Sequence, residues 1–251
     1  MRGKILAQGS DTMGESGAWI MKGTDREDVC CIRSCRELME QIDEIGFLPL
    51  FRNEVEGFSA EEHVPDRFWW TGDPERDPWV WREIIAGTGE IAYGKFFSRR
   101  AGFISLKWFP CFANYRRDGY DFDARWEDGL ANLRCKKIMD VFDAGGEYTG
   151  AELKKAAGFW KGGEKNFEGI AAELQQQTYL VIRKFRKKKN KKGAEYGMPV
   201  TVYARPEDVW GYGTVSAAYG EDPSKSWQRI FDHVKKICPL AEENQIRKLL
   251  K

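Results

Sequence analysis

Apolar residues recur at helical spacing in several separate stretches, each bracketed by residues that start and stop helices. From Ser34 to Ile45, positions Leu38, Ile42 and Ile45 share one face, Ser34 can cap the first turn and Gly46 follows the last. GFLPLF comes next, and Pro49 blocks a continuing helix, so the chain is expected to emerge extended. Ser59 and Glu62 have the spacing of a capping box and predict a short helix at SAEEH. Asp77 and Pro78 supply an N-cap and a first-turn proline for PWVWREIIA, closed by Gly87.

From Leu130 to Trp210 the pattern repeats three times and then switches to strands. RCKKIMDVF, Arg134 to Phe142, carries Ile138, Met139 and Phe142 at helical spacing and is stopped by Gly145 and Gly146. Thr149 can cap GAELKKAAG. Asn166 opens NFEGIAAELQQQ, in which Phe167, Ile170, Ala171 and Leu174 face a core, leaving Lys165, Glu168, Ala172, Glu173 and Gln176 for solvent or a ligand. TYLVIRKF and MPVTVY are apolar, β-branched runs of strand length on either side of a basic loop. Three helices, a strand, a basic loop and a strand is the order of a winged helix. Further on, Ser224 or Asp222 can cap PSKSWQRIFDHVKKI, whose Trp227, Ile230, Phe231 and Val234 share a face; Pro239 ends it and AEENQIRKLL closes the chain. The fold class expected is mainly α with small antiparallel β wings, an α+β winged-helix protein. It divides into a loose tail at 1–25, an aromatic-rich domain at 26–128 joined by the polar connection DGYDFDARWEDG to a winged helix at 129–212, and closing helices at 213–251.

Charge sharpens this picture. Forty basic and thirty-nine acidic residues nearly cancel, which excludes a bulk polybasic binder. The distribution is uneven: Glu54 to Glu90 holds ten acids against three Lys or Arg, whereas Arg183 to Lys192 holds eight Lys or Arg and no acid. That run is an unscreened positive density suited to a phosphate backbone, and also what a solvated hairpin tip carries for solubility. Tyr93, Phe96, Phe97, Phe103 and Trp108, with Arg99, Arg100, Arg116 and Arg117 nearby, are expected in the core, with stacking on unpaired bases as the alternative. Cys30, Cys31 and Cys35 are close enough to suggest a metal site, but adjacent cysteines are poor joint ligands and neither His63 nor His233 has finger spacing, so neither metal nor cofactor is expected. The N-terminus lacks the pattern of a signal peptide and no apolar run reaches a membrane span, so a cytoplasmic protein with reduced thiols is expected.

RCKKIMDVF, GAELKKAAG, KNFEGIAAELQQQTYLVI and PEDVWG resemble the winged-helix DNA glycosylases of the AlkZ and YcaQ type, which excise alkylated bases and unhook interstrand crosslinks. FLPLFRNEVEGFSAEEH, WWTGDPERDP, YGKFFSRRAGFIS and FANYRRDGYDFDARWEDGL look more like a shorter bacterial group related to those enzymes, over about Ser34 to Asp222. The resemblance implies tandem winged helices on DNA and a Gln-apolar-Asp or Gln-apolar-Gln motif at the glycosidic bond. A carboxylate there stabilises positive charge on the sugar and polarises a water that the amide orients. Gln41-Ile42-Asp43 matches the motif literally; in the family it follows a Leu-Gly step, and here Ile45-Gly46-Phe47-Leu48 is followed by Pro49, Leu50 and Phe51. Gln41 and Asp43 also read as two solvated residues of an amphipathic helix, pointing to different sides.

Three functions follow. The first is a DNA-binding protein, with Lys165 and Asn166 approaching a groove and Arg183, Arg186, Lys187, Lys188, Lys189, Lys191 and Lys192 on phosphates. The second is a monofunctional glycosylase using Gln41 and Asp43. The third is a protein-interaction module whose acidic, aromatic first half binds a partner.

Overall fold

The computed structural model describes residues 31–190 and 192–251; the expected tail at 1–25, Cys30 and Lys191 lie outside the described residues. Helix α1 (Cys35–Ile45) begins at Ser34, whose hydroxyl accepts from the Glu37 amide, and ends at Gly46 with φ +90°. A Cβ at Gly46 would lie 2.4 Å from the Trp108 ring, so this turn requires glycine. Strand β1 (Phe47–Pro49) follows, then 3-10 turns at Glu61–His63 and Asp66–Phe68. Asp77 caps α2 (Pro78–Thr88) through the Trp79 amide, and β2 (Ile91–Phe97) and β3 (Arg100–Ser105) form a hairpin. Its turn is Ser98-Arg99, both at positive φ, the backbone that tight hairpins demand. Helices α3 (Phe109–Arg117) and α4 (Phe122–Glu127) lead to the second half.

There the order is α5 (Leu133–Met139), β4 (Tyr148–Thr149), α6 (Gly150–Ala156), α7 (Phe167–Gln176), β5 (Val181–Lys189) and β6 (Glu195–Ala204). Helices α8 (Pro206–Trp210), α9 (Tyr212–Val215), α10 (Pro223–Ile237) and α11 (Glu243–Leu250) complete the chain. The architecture is α+β, helices around two small antiparallel sheets. The sheets share one connectivity, β1-β3-β2 and β4-β6-β5: a short strand pairs with the last strand of a hairpin that follows a helix. The hairpins differ in setting. β2 and β3 are almost wholly buried, whereas β5 and β6 emerge from the core into solvent.

Several expectations are corrected. RCKKIMDVF is not one helix: α5 starts earlier, capped by Asn132, and stops at Met139, with a 3-10 turn over Asp140–Phe142. SAEEH makes only a 3-10 turn, in which the Ser59 hydroxyl accepts from the Glu62 amide and donates to its carboxylate. Asn166 precedes α7 in the left-handed region and makes no side-chain cap. The polar connection at DGYDFDARWEDG contains α4, pinned by Phe122 edge-on to Tyr179 at 5.2 Å. α2 continues to Thr88, past Gly87. Thr149 forms a full capping box with Glu152, and of the two residues offered for α10, Asp222 is the cap.

Buried apolar side chains run as one cluster from Ile32 to Leu250. Phe47 is a hub, with the Phe112 ring at 4.9 Å, Trp108 at 5.5 Å and Phe58 at 5.9 Å. Tyr93, Phe96, Phe97 and Phe103 are buried in the same cluster. Among the described residues no helix is long and apolar enough to cross a membrane.

The halves are stitched by polar contacts. Gln175 of α7 accepts from the Lys95 amide at 3.1 Å, and Trp210 donates to the Gly89 carbonyl at 2.7 Å. His233 on α10 packs tilted against Trp108 with ring centres 4.2 Å apart and donates from Nε2 to the Ile45 carbonyl at 2.7 Å, locking α10 to the end of α1. Burial, reinforced by Lys236 and Lys107, holds its imidazole below the ordinary value, against the opposing Ile45 bond. The unfolded chain therefore takes the proton first. His233 contributes its full stability above about pH 6.5 and loses it as pH falls through the depressed folded value. The melting temperature is expected to drop on acidification through this window, and His233→Gln to flatten that part of the profile. An unchanged slope in the variant contradicts this.

Candidate nucleic-acid interface

The basic run forms the outer part of β5 and the turn into β6. Register breaks at Ile182/Lys184 and Arg186/Lys188 interrupt the ladder, and Gly197 with φ +70° lies opposite the second break. Arg183 sits in the first break and turns inward, donating to the carbonyls of Ala86 and Gly87 at 3.0 and 2.9 Å at the end of α2. Its charge meets the negative end of that helix. Arg183 therefore anchors the hairpin to the first half. Arg82 of α2 braces the same strand, its guanidinium 4.3 Å from the Phe185 ring centre and 3.6 Å from that of Trp79.

Past this anchor the side chains are exposed from Arg186 to Asn190. The run contains no acid, yet the fold brings acids to it, so its charge is not unscreened. Glu147 contacts Lys184 and lies 3.8 Å from Arg183, Glu152 is 3.9 Å from Arg186, and Glu195 is 3.9 Å from Lys187. Burial raises the Glu83 carboxyl, with Arg82 and Lys187 opposing. Lys188, Lys189 and Lys192, all exposed, have no carboxylate within ion-pair distance among the described residues.

Below the hairpin lies a groove of about 1160 Å³. Its walls are the start of α6 (Thr149, Gly150, Glu152), the exposed Glu168 of α7, and Phe185 to Lys189 facing Tyr196 to Thr201. Lysine and arginine outnumber glutamate along it, and the surplus lies on the hairpin. Such a trough can hold a polyanion by local charge, without base-specific donors.

Helix α7 is less open than its sequence implies. Ala172 and Gln175 are buried, and the β2–β3 turn lies across the helix end: Arg99 reaches Gln176 at 3.3 Å and Glu173 at 3.8 Å. Exposure is confined to the start of α7 and the residues before it: Lys165 and Asn166 are exposed and do not line the groove, and Glu168, an acid, is exposed and does. Gln41 and Asp43 lie mid-helix on α1 on either side of the buried Ile42, Gln41 half-buried and Asp43 exposed, and neither lines the groove. At Pro49-Leu50-Phe51, Leu50 is buried and Phe51 packs on Trp69 at 5.7 Å and Trp79 at 6.2 Å. Among the described residues no group of three or more His, Cys, Asp and Glu could hold a metal ion.

The groove residues that sequence reading missed include Thr149, Glu152, Lys154, Glu195, Tyr196 and Thr201. Their only local signal is the capping box at Thr149, which marks a helix start and no ligand.

A family model described as "AlkZ related" matches residues 32–251. The chain belongs to this AlkZ-related family, and so is related to DNA glycosylase-like proteins. No curated protein and no solved structure matches it.

The geometry separates an anchor from candidate ligand groups. Arg183→Ala is expected to cost about 1–3 kcal/mol in denaturant unfolding, the worth of charged hydrogen bonds, and Lys188→Ala less than about 0.5 kcal/mol. Equal effects would remove the distinction.

Proposed function

We propose that this member of the AlkZ-related family binds DNA through the hairpin beyond Arg183, with residues 132–204 acting as a winged helix. The element order helix, strand, helix, helix, strand, strand supports it, as does the β4-β6-β5 pairing. The same connectivity in β1-β3-β2 supports a tandem reading, the first wing shortened and buried. The observation that carries the proposal is the set of exposed, carboxylate-free lysines Lys188, Lys189 and Lys192, the first two of which line the groove. In this reading the wing is the main contact, and α7 offers only Lys165 and Asn166 at its start. Arg186 and Lys187 join when phosphates displace Glu152 and Glu195, and Lys191 extends the run.

Binding of this kind releases counterions and weakens steeply with salt. A gel shift at low salt is expected to weaken as salt rises, and Lys187, Lys188 and Lys189 changed together to alanine to lower the log–log salt slope by roughly 2–3, at ~0.9 per phosphate contact. No shift at low salt sinks the reading and favours a module that binds a protein through the acidic first half.

Base excision is a further step, and Gln41 and Asp43 are its candidates. Support for them is the motif match and the solvent exposure of Asp43. Incubation with alkylated DNA is expected to yield abasic sites that Asp43→Asn abolishes. Activity surviving that change would remove Asp43 from the chemistry.

A further inference from the structure

Of the five first-half aromatics Tyr93, Phe96, Phe97, Phe103 and Trp108, four are buried and offer no stacking face. Three rings of the second half stand in solvent among the described residues: Trp160 is 59% exposed, Tyr196 53%, and Tyr212 56% with its hydroxyl bonded to Asp121. Trp160 and Tyr196 lie in basic stretches.

Trp160 lies in the turn between α6 and α7. The turn is tied down: its preceding residue Phe159 is buried edge-on to Phe167 at 5.5 Å, and its amide donates to the Lys154 carbonyl at 2.9 Å. Backbone bonds from Gly163 to Trp160 and from Glu164 to Gly158, at 2.9 and 3.0 Å, close the loop. The indole runs alongside Gly158 and Gly163, where side-chain atoms are lacking. Its orientation is thus set by the backbone while much of its surface faces water. Lys154, Lys155, Lys161 and Lys165 surround it in sequence and are exposed. The one acid of the turn, Glu164, is held by Lys137 at 2.6 Å.

Tyr196 pairs across the hairpin with Lys188 and lines the groove with Phe185. Large rings held in water by hydrogen-bonded backbone present free faces to a flat apolar partner. A lysine field draws phosphates, and the flat apolar partner that accompanies phosphates is a nucleobase. In an intact duplex each base face is covered by its neighbours; in a single strand or a gap it is free to stack.

We propose that the second half selects nucleic acid with unpaired bases over an intact duplex, stacking a base on Trp160 or on Tyr196 while the lysines near each ring hold phosphates. This rests on the nucleic-acid reading above and adds the substrate class.

The test is fluorescence anisotropy of the full chain at low salt with a labelled single strand and the matching duplex. Wild type is expected to bind the single strand more tightly. Trp160→Ala and Tyr196→Ala are each expected to weaken that binding roughly five- to hundredfold, the range of one base-on-ring stack, and to leave duplex binding unchanged. Thermal unfolding of both variants should match wild type. If Trp160→Ala melts early, Trp160→Phe, which keeps a stacking face, should restore both melting and single-strand binding. Restored melting without restored binding overturns the role of Trp160. Tight duplex binding with no loss in either ring variant overturns this proposal and leaves DNA binding standing. Failure of wild type to bind either probe overturns both.

Discussion

The guanidinium of Arg117 is the constraint on which the arrangement of the two halves depends. It is buried at the end of α3 and spends its donors on three separate segments. Nε and Nη2 reach the hydroxyl and carbonyl of Thr178 at 3.2 and 2.6 Å, while Nη1 reaches Glu207 at 2.5 Å and the Tyr219 hydroxyl at 2.9 Å. The Tyr179 ring lies 4.4 Å from its carbon. Lysine has neither the planar fork nor enough directed donors for this set. Breaking a buried pair of this kind costs about 3–5 kcal/mol, because the remaining groups are left desolvated. Thr178 sits at φ +64°, a conformation that needs such support, and it lies just before β5.

From that lock follows the posture of the hairpin. Arg117 fixes the segment entering β5, Arg183 fixes the next turn of the ladder to α2, Arg82 and Tyr93 hold Phe185, and from Arg186 outward the side chains of β5 are exposed. The β2–β3 turn closes over the end of α7 through Lys95 and Arg99. A helix covered this way cannot lie lengthwise in a DNA groove. What remains outward is the hairpin, the groove below it and the turn bearing Trp160. The nucleic-acid reading therefore rests on ribbon and turn rather than on the helix face that the element order alone suggests.

Caps were the most legible part of the chain, since Ser34, Asp77 and Thr149 bond to amides two or three residues away and need no distant partner. The β2–β3 hairpin was not legible. Both its faces are buried, so the alternation that marks a strand is absent from IAYGKFF and RAGFIS. Nor could α7 disclose that Gln175 is covered, because it meets the Lys95 amide some eighty positions earlier. For the candidate interface the basic run was visible as a charge count. The acids that temper it, Glu147 and Glu152, enter through β4 and α6, and the inward turn of Arg183 arises from a ladder irregularity with no sequence mark.

Hydrogen exchange of the full chain, free and with single-stranded DNA at low salt, tests the location of the surface most directly. Slowed exchange is expected in the hairpin at 184–204 and in the turn at 158–166. Protection confined to α1 or to the acidic stretch 54–90, with the hairpin unaltered, would contradict it.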